Sequence, residues 1–379
     1  MKILKGIAWN HTRGFTSVVA TAQRFEELNP DVRITWEKRS LQAFADASLG
    51  ELTANYDLLI MDNPHVSIAA KDKVLLPFDD YLDAEFIKEL ANNSVGKSHA
   101  SYHVNGKQWT LATDAATPIA TWREDLVSKY NVQIPKTWEE LMKLAKTGKV
   151  AFASIPIDTL MHHFMMCIAL GAEVFESKTE VAPRQIMIEA IKTYKELLDL
   201  TPSFCLEMNP IKIYERMTQT DDIIYSPFNY GYSNYSKKNY ADHVLKAGGL
   251  VTFKGKRLRS TLGGAGIAVS SKTKHAEVAM KYAEFTASEK VQSGLYFEFG
   301  GQPGHRKSWV NDDVNNQCKD FFKDTLQTLD EATMRPQYYG YMYFQDEASP
   351  VIHEAMTGKT SIETAVDKMN EIYKESLIH

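Results

Sequence analysis

Polar and aromatic side chains follow the ends of two predicted strands in the first 65 residues of this sequence. Aromatic faces pack against C–H surfaces, and planar polar groups bind pairs of hydroxyls, so this combination suits a small polar ligand. In open α/β sheets, ligands bind beyond the carboxyl ends of the strands. With residues from later segments, the predicted ligand-binding set is Trp9, Asn10, His11, Arg13, Asp62, Asn63, His65, Asp114, Asn229, Tyr230, Gly263, Gly264 and Tyr339.

His11 and Arg13 could decide the charge of that ligand. They precede a predicted helix, whose N-terminal N–H groups and dipole favour anions. A carboxylate or phosphate would therefore fit beside them, and the ligand would then be acidic. The alternative is that both are solvated loop residues, because charged loop residues usually face water.

The other candidates also have structural alternatives. Trp9 could be a core residue, and Asp62 and Asn63 could simply form a turn. Asp114 could brace a hinge, although we expect Asp114→Ala to weaken ligand binding with little loss of stability. The tyrosines between 338 and 343 are more often packing residues than ligand contacts.

The sequence contains no recognisable catalytic or metal-binding pattern. His163 and Cys167 are four residues apart on a predicted helix, but no second pair of ligands accompanies them. The glycines at 263–266 precede a strand and lack the Lys-Ser/Thr pair of a phosphate-binding loop. Adjacent carboxylates such as Asp79-Asp80 do not resemble the separated pair of a glycosidase. We therefore predict a non-enzymatic protein without metal or cofactor.

Length and composition indicate a globular protein with two domains. The chain has 379 residues and a formal net charge of −5, which argues against nucleic acid as the main partner. No apolar stretch is long enough to span a membrane. The three cysteines predict buried thiols with at most one bridge.

The hydrophobic pattern of the first 62 residues predicts strand, helix, strand, helix, strand. Strands are expected near 4–9, 32–36 and 57–61, with helices after Thr16 or Ser17 and from Phe44 to Leu52. This order predicts an open α/β sheet with right-handed crossovers.

Later segments add further elements. Asn105-Gly106 predicts a hairpin turn, and Thr137 with Glu140 predicts a capping box. A strand is expected at 221–225, followed by a contact-bearing loop at 227–240. A glycine-rich turn leads into a strand before residue 270, and helices are expected at 276–288 and 361–377.

The order of several motifs resembles the bacterial extracellular solute-binding proteins, family 1, of ABC sugar importers. The most specific block runs from Trp122-Arg123-Glu124-Asp125-Leu126 to Pro135-Lys136-Thr137-Trp138-Glu139-Glu140-Leu141. The block departs from the family pattern at Trp122-Arg123, and the proline usual near Leu111-Ala112 is missing. The other segments that carry the resemblance are Phe25–Val32, Tyr56–Ile60, Leu75–Leu82, Gly263-Gly264, Ala276–Gln292, Gly301–Pro303 and Gly358–Ala365.

The resemblance implies an α/β type II periplasmic-binding-protein fold with two discontinuous lobes. The expected lobes are residues 1–112 with 264–303 and residues 113–263 with 304–379. They would close by hinge bending around a carbohydrate or related polar molecule in the interlobe cleft.

The same resemblance implies an ABC permease in the membrane as partner, no nucleic acid and a monomeric state. The expected location is extracytoplasmic if a leader was trimmed, and cytoplasmic if Met1 is the native start. A leaderless cytoplasmic sensor or carrier, and an organic-acid or sugar-acid ligand, remain alternatives.

Overall fold

A computed structural model describes residues 1–40 and 48–379. The chain divides into two compact units. The first unit comprises residues 1–116, 232–234 and 262–318, and the second comprises residues 117–231, 235–261 and 319–379. Residues 304–318, which were expected in the C-terminal lobe, thus pack with the first unit. The functional boundaries of the lobes stay a prediction.

The first unit contains a five-stranded sheet with the order β2-β1-β3-β12-β6. Strand β1 pairs in parallel with β2 and β3, as the strand–helix alternation predicts, whereas β12 pairs antiparallel with both β3 and β6. The strands of this sheet are β1 (Lys2–Trp9), β2 (Val32–Arg39), β3 (Leu58–Asp62), β6 (Leu111–Ala112) and β12 (Ala265–Val269).

Both faces of this sheet are covered by apolar side chains. Leu58 and Ile60 of β3 belong to one buried cluster, whereas Leu59 and Met61 belong to another. Successive side chains of a strand point to opposite faces, so a strand buried on both faces is continuously apolar. The run at 58–61 is such a strand, as the sequence predicted.

Helices surround the sheet of the first unit. Part of the predicted helix at 44–52 lies outside the described residues, and the helix that the structure describes there is Leu49–Asn55. The other α-helices of this unit are Ser17–Leu28, Val66–Asp72, Ala84–Asn92, Ala276–Ala287, Glu289–Val291, Arg306–Val310 and Asp312–Asn316. A short hairpin of β4 (His103–Val104) and β5 (Lys107–Gln108) confirms the predicted Asn-Gly turn.

The second unit combines a small antiparallel sheet with a helical layer. The sheet order is β8-β7-β9, with β7 at Pro118–Trp122, β8 at Tyr225–Tyr230 and β9 at Lys246–Gly248. A separate pair is formed by β10 (Thr252–Phe253) and β11 (Lys256–Arg257). The α-helices are Glu124–Tyr130, Trp138–Ala145, Pro156–Ala169, Arg184–Leu198, Pro210–Gln219, Phe321–Asp330, Tyr341–Met356 and Ile362–Ser376.

The prediction for residues 221–240 is wrong in its boundaries. Strand β8 begins at Tyr225, where the predicted strand ends, and includes Pro227, where a loop was expected. A proline cannot donate a hydrogen bond, so within a sheet it needs an edge strand or a bulge. Strand β8 is at the edge of its sheet, and its pairing with β7 shifts register between Ile119 and Thr121. The bulge accommodates Pro227.

The capping box at Thr137 is confirmed. The Thr137 hydroxyl accepts from the Glu140 N–H at 3.2 Å, and the Glu140 carboxylate accepts from the Thr137 N–H at 3.3 Å. We expect Thr137→Ala to lower the unfolding free energy by about 1 kcal/mol, because the N–H of residue 140 loses its acceptor. Urea denaturation measures this loss. Thr137→Ser keeps the hydroxyl, so an equal loss in both variants would contradict the capping explanation.

None of the helices in the described residues is both long and apolar enough to cross a membrane.

Candidate functional site

The site begins where β1 ends, at the edge of the first unit's sheet. Trp9 is the last residue of β1 and is buried, whereas Asn10 beside it is exposed. A single π-helical turn, Thr12–Thr16, then leads into the helix Ser17–Leu28. Thr16 occupies the N-cap position of that helix, as expected, but its side chain makes no capping hydrogen bond. The His11 side chain caps the preceding π-helical turn by accepting from the Arg13 N–H at 3.0 Å. Ser17 instead donates its hydroxyl to the Arg13 carbonyl.

Arg13 and Asp114 form a buried ion pair at the centre of this region. The Arg13 side chain donates from Nε to Asp114 Oδ2 at 2.7 Å and from a terminal nitrogen to Oδ1 at 2.5 Å. Arg13 is only 4% exposed and Asp114 only 1%. The backbone N–H of Ala265 also donates to Asp114 Oδ1, at 3.2 Å. The interpretation of Arg13 as a solvated loop residue is therefore wrong.

The pKa values of Arg13 and Asp114 are determined by burial and by the charge of the partner. Burial alone would lower the pKa of Arg13, but the charge and hydrogen bonds of Asp114 outweigh it and raise that pKa. Burial raises the pKa of Asp114, against the opposing charge and hydrogen bonds of Arg13, and the nearby Asp62 charge adds to the increase. Each of the two charges thus stabilises the other in the protein interior.

His11 is neutral in this environment. Burial, followed by the charge of Arg13, lowers the pKa of His11 to about 3. The imidazole packs edge-on against the Tyr232 ring, with centroids 4.7 Å apart. Tyr232 also lies 4.6 Å from the Arg13 guanidinium, a distance suited to a cation–π contact. Tyr232 lies in the segment 227–240, where a contact-bearing loop was expected, and packs within the first unit.

The remaining candidates of the first unit lie around the same sheet. Asp62 ends β3 and accepts from the Asn63 N–H at 2.8 Å, which is the turn-forming role considered for this pair. Asn63 and His65 are buried in the short 3-10 turn Asn63–His65. Gly264 has a φ of +107°, and a Cβ there would lie 2.6 Å from the Asp114 carbonyl oxygen. Gly264 therefore makes room for the protein's own backbone.

Three predicted candidates belong to the second unit. Asn229 is buried, and its Oδ1 accepts from the Ala153 N–H at 2.7 Å. Tyr230 is half-buried at the end of β8. Tyr339 is half-buried in a loop before the helix Tyr341–Met356. The structure thus brings together Trp9, His11, Arg13 and Asp114 within one unit, with Gly263 and Gly264 at the adjoining backbone.

The histidine–cysteine pair in the helix Pro156–Ala169 is buried and uncharged. His163 Nε2 lies 3.5 Å from Cys167 Sγ, and both residues are buried. Burial lowers the pKa of His163 to about 3 and raises that of Cys167, so both groups stay neutral. All three cysteines are buried thiols outside any disulfide. Within residues 1–40 and 48–379, no three His, Cys, Asp or Glu side chains converge as metal ligands.

A cavity of about 440 Å³ in the first unit lies apart from the predicted ligand-binding set. None of the thirteen candidates lines it, although a volume of this size could hold a small molecule. Its lining residues are Asp79, Ala84, Ile87, Lys88, Ala91, His99, Ala100 and His103. Burial is the main reason why the pKa of His99 falls to about 4.

Comparison with known proteins identifies relatives over most of the chain. A family model described as bacterial extracellular solute-binding protein matches residues 8–293. Maltose-bound MalE3 of T. maritima superimposes with a TM-score of 0.84 at 16% identity, covering 99% of this chain and 100% of that one. A tagatose-bound ABC transporter solute-binding protein of Thermotoga lettingae gives 0.84 at 17% identity, with full coverage of both chains.

A third structure supports the same fold. The ribitol complex of a solute-binding protein from Agrobacterium radiobacter gives a TM-score of 0.82 at 16% identity, covering 99% of this chain and 98% of that one. At such low sequence identities, the structural similarity shows only that the fold is shared. They confirm the predicted α/β fold class, that of the type II periplasmic binding proteins.

Proposed function

We propose, from the premise that this chain belongs to the bacterial extracellular solute-binding protein family, that it binds a neutral carbohydrate or polyol for an ABC importer. The family is a substrate-binding component of transport systems and not a class of enzymes. We accordingly assign no catalytic step to this chain. Its proposed partners are the ligand and a membrane permease, and its proposed location is outside the cytoplasmic membrane.

The observation that supports a neutral ligand is that Arg13 is already paired with Asp114 and that His11 is uncharged. These were the two residues whose positive charge could have attracted an acidic ligand. Asp114 already accepts two hydrogen bonds from the Arg13 guanidinium, and both residues are buried. His11 is uncharged because burial lowers its pKa to about 3. An anionic ligand would therefore need to displace Asp114 or protonate the half-buried His11 imidazole against its lowered pKa, and both processes are costly.

The proposed ligand contacts are the accessible polar groups at the carboxyl edge of the sheet. Asn10 is exposed and Asp62 is half-buried, so both remain open to solvent beside the buried Trp9. Amide and carboxylate oxygens suit the hydroxyl groups of sugars. The named ligands of the structural neighbours, which are maltose, tagatose and ribitol, support a polyhydroxylated molecule of this kind.

The proposed mode of binding is hinge closure, as is general for bilobal binding proteins. The chain passes from the first unit to the second after Ala116 and returns between Thr261 and Leu262. These passages fall close to the lobe boundaries expected after residues 112 and 263. The third expected boundary, after residue 303, lies before the last passage, which follows Cys318.

A thermal-shift screen tests this proposal. The purified protein would be heated with neutral mono- and disaccharides, polyols, sugar acids and sugar phosphates. A ligand that binds only the native state raises its stability by about 2.7 kcal/mol at a hundredfold excess over the dissociation constant. We expect a raised midpoint with one or more neutral compounds. A shift confined to sugar acids or phosphates would contradict the neutral-ligand proposal, and turnover of any shifting compound would contradict the non-enzymatic one.

A further inference from the structure

The cavity of about 440 Å³ in the first unit has a largely apolar wall, which the helix Ala84–Asn92 supplies. Ala84, Ile87, Lys88 and Ala91 line it, and their spacing places them on one face of the helix. Two of the four are alanines, whose short side chains leave room beside the helix. The volume lies within the range of roughly 300–1,000 Å³ that is typical of small-molecule pockets.

A polar wall of the same cavity is fixed by hydrogen bonds within the first unit. His99 donates its N–H to Ser94 Oγ at 3.0 Å, and its carbonyl accepts from Gln108 Nε2 at 3.0 Å. The N–H of Gln108 donates to Asp79 Oδ2 at 2.6 Å. His99 and Asp79 both line the cavity. Gln108 therefore holds an imidazole-bearing residue and a carboxylate-bearing residue at one wall.

The side chains of Asp79 and His99 can both accept hydrogen bonds from a ligand. Asp79 meets the Gln108 N–H through Oδ2, which leaves Oδ1 for a second donor. Burial, followed by the charge of His103, lowers the pKa of His99 to about 4, so the imidazole is neutral at pH 7. A neutral imidazole has one nitrogen that accepts a hydrogen bond, and it does not repel a cation. This wall of the cavity thus suits an ammonium group.

Lys88 adds a positive charge to the cavity. Its side chain is 66% exposed, and its ammonium lies 3.6 Å from the Glu85 carboxylate, which is 80% exposed. An exposed ion pair of this kind contributes little to stability, so the ammonium can turn to a ligand at small cost. The cavity therefore combines acceptors for a cation, a donor for an anion and an apolar surface.

We propose that this cavity is a second binding site, separate from the proposed carbohydrate site, for an α-amino acid with an apolar side chain. The ammonium of the ligand donates to Asp79 Oδ1 and to the His99 imidazole. Its carboxylate pairs with Lys88, and its side chain packs on the helix face that carries Ala84 and Ile87. A simple anion would be repelled by Asp79, and a simple cation would be repelled by Lys88. The inference goes beyond the proposed function and does not rest on it.

Equilibrium dialysis of the full-length protein against radiolabelled L-valine, L-leucine and L-methionine tests this site. We expect saturable binding of at least one of them, with one molecule per chain. The N-acetyl amide of that amino acid keeps the side chain but lacks both charges, so it should bind at least about tenfold more weakly. Equal affinity for the amide would overturn the assignment to a zwitterion, and a lack of saturable binding by all three amino acids would overturn the site.

Ala91→Leu locates the bound amino acid, because the larger side chain fills the cavity from the helix face. Leucine is a good helix former, so the fold should persist while affinity falls by at least about tenfold. Ala54→Leu is the matched control, since Ala54 is an exposed alanine of the helix Leu49–Asn55 in the same unit and does not line the cavity. An equal loss in both variants, or no loss in Ala91→Leu, would contradict the proposal.

Asp79→Asn tests the ammonium contact separately from the volume of the cavity. Asparagine keeps an oxygen for the Gln108 N–H but removes the negative charge, so affinity for the amino acid should fall about tenfold. Affinity for the uncharged amide should change little. Asn10→Ala alters the proposed carbohydrate site and should leave amino acid binding unchanged. If Asn10→Ala abolishes that binding and Ala91→Leu does not, the amino acid binds elsewhere and the proposal fails, whatever the sugar screen shows.

Discussion

Asp114→Leu is expected to destabilise the protein by about 3–5 kcal/mol, because it leaves the charge of Arg13 buried without its partner. The Asp114 carboxylate accepts from Arg13 through both oxygens and is itself only 1% exposed. The earlier expectation that Asp114→Ala would cost little stability is therefore replaced by a large predicted loss. Urea denaturation followed by tryptophan fluorescence measures the change.

The double variant Arg13→Met/Asp114→Leu should recover most of that loss. Replacing both members of a buried ion pair with apolar residues of similar size is often neutral, since the desolvation cost of two charges disappears. A surface pair gives the control: Lys2 and Asp31 lie 3.1 Å apart but are largely exposed, so Lys2→Ala should change stability by less than about 1 kcal/mol. If the double variant is as unstable as the single one, the explanation by an unpaired buried charge is wrong.

The sequence predicted the first unit's sheet well because local patterns determine most of it. The continuous apolar run at 58–61 indicates a strand covered on both faces, and that is its environment in the structure. The capping box at Thr137 is likewise a local signal, set by two residues three positions apart. Features of this kind need no knowledge of distant parts of the chain.

The site could be predicted only in part, because its main interaction joins residues far apart in sequence. The position of Arg13 beside a strand end was visible, but its partner Asp114 lies 101 residues later. Nothing in local spacing links the two, and a lone arginine in a loop suggests a solvated charge. Tyr232 illustrates the same limit. The tyrosine-rich segment around it indicated a contact-bearing region, but not that Tyr232 packs with the first unit.

Asp158 is a second buried carboxyl group, and its environment differs from that of Asp114. It lies in the first turn of the helix Pro156–Ala169, and its Oδ2 has no hydrogen-bond partner. The neighbouring polar groups are uncharged. The Tyr194 hydroxyl forms a hydrogen bond with Ser154 Oγ at 2.6 Å and lies 3.2 Å from His162 Nδ1. Burial lowers the pKa of His162 to about 3, so this imidazole supplies no cation. Burial alone raises the pKa of Asp158 to about 7.

Asp158→Asn is therefore expected to stabilise the protein more at pH 8 than at pH 5. The folded-state pKa of Asp158 is above its unfolded value of 3.8, so the folded state binds more protons between roughly pH 4 and 7 and loses stability as the pH rises through that window. The gain from Asp158→Asn should be larger at pH 8 by about 2–3 kcal/mol, measured by urea denaturation at both values. Glu173→Gln, which changes an exposed carboxylate in the same unit, should show no such difference. A gain that is equal at pH 5 and pH 8 would mean that Asp158 does not titrate in this window.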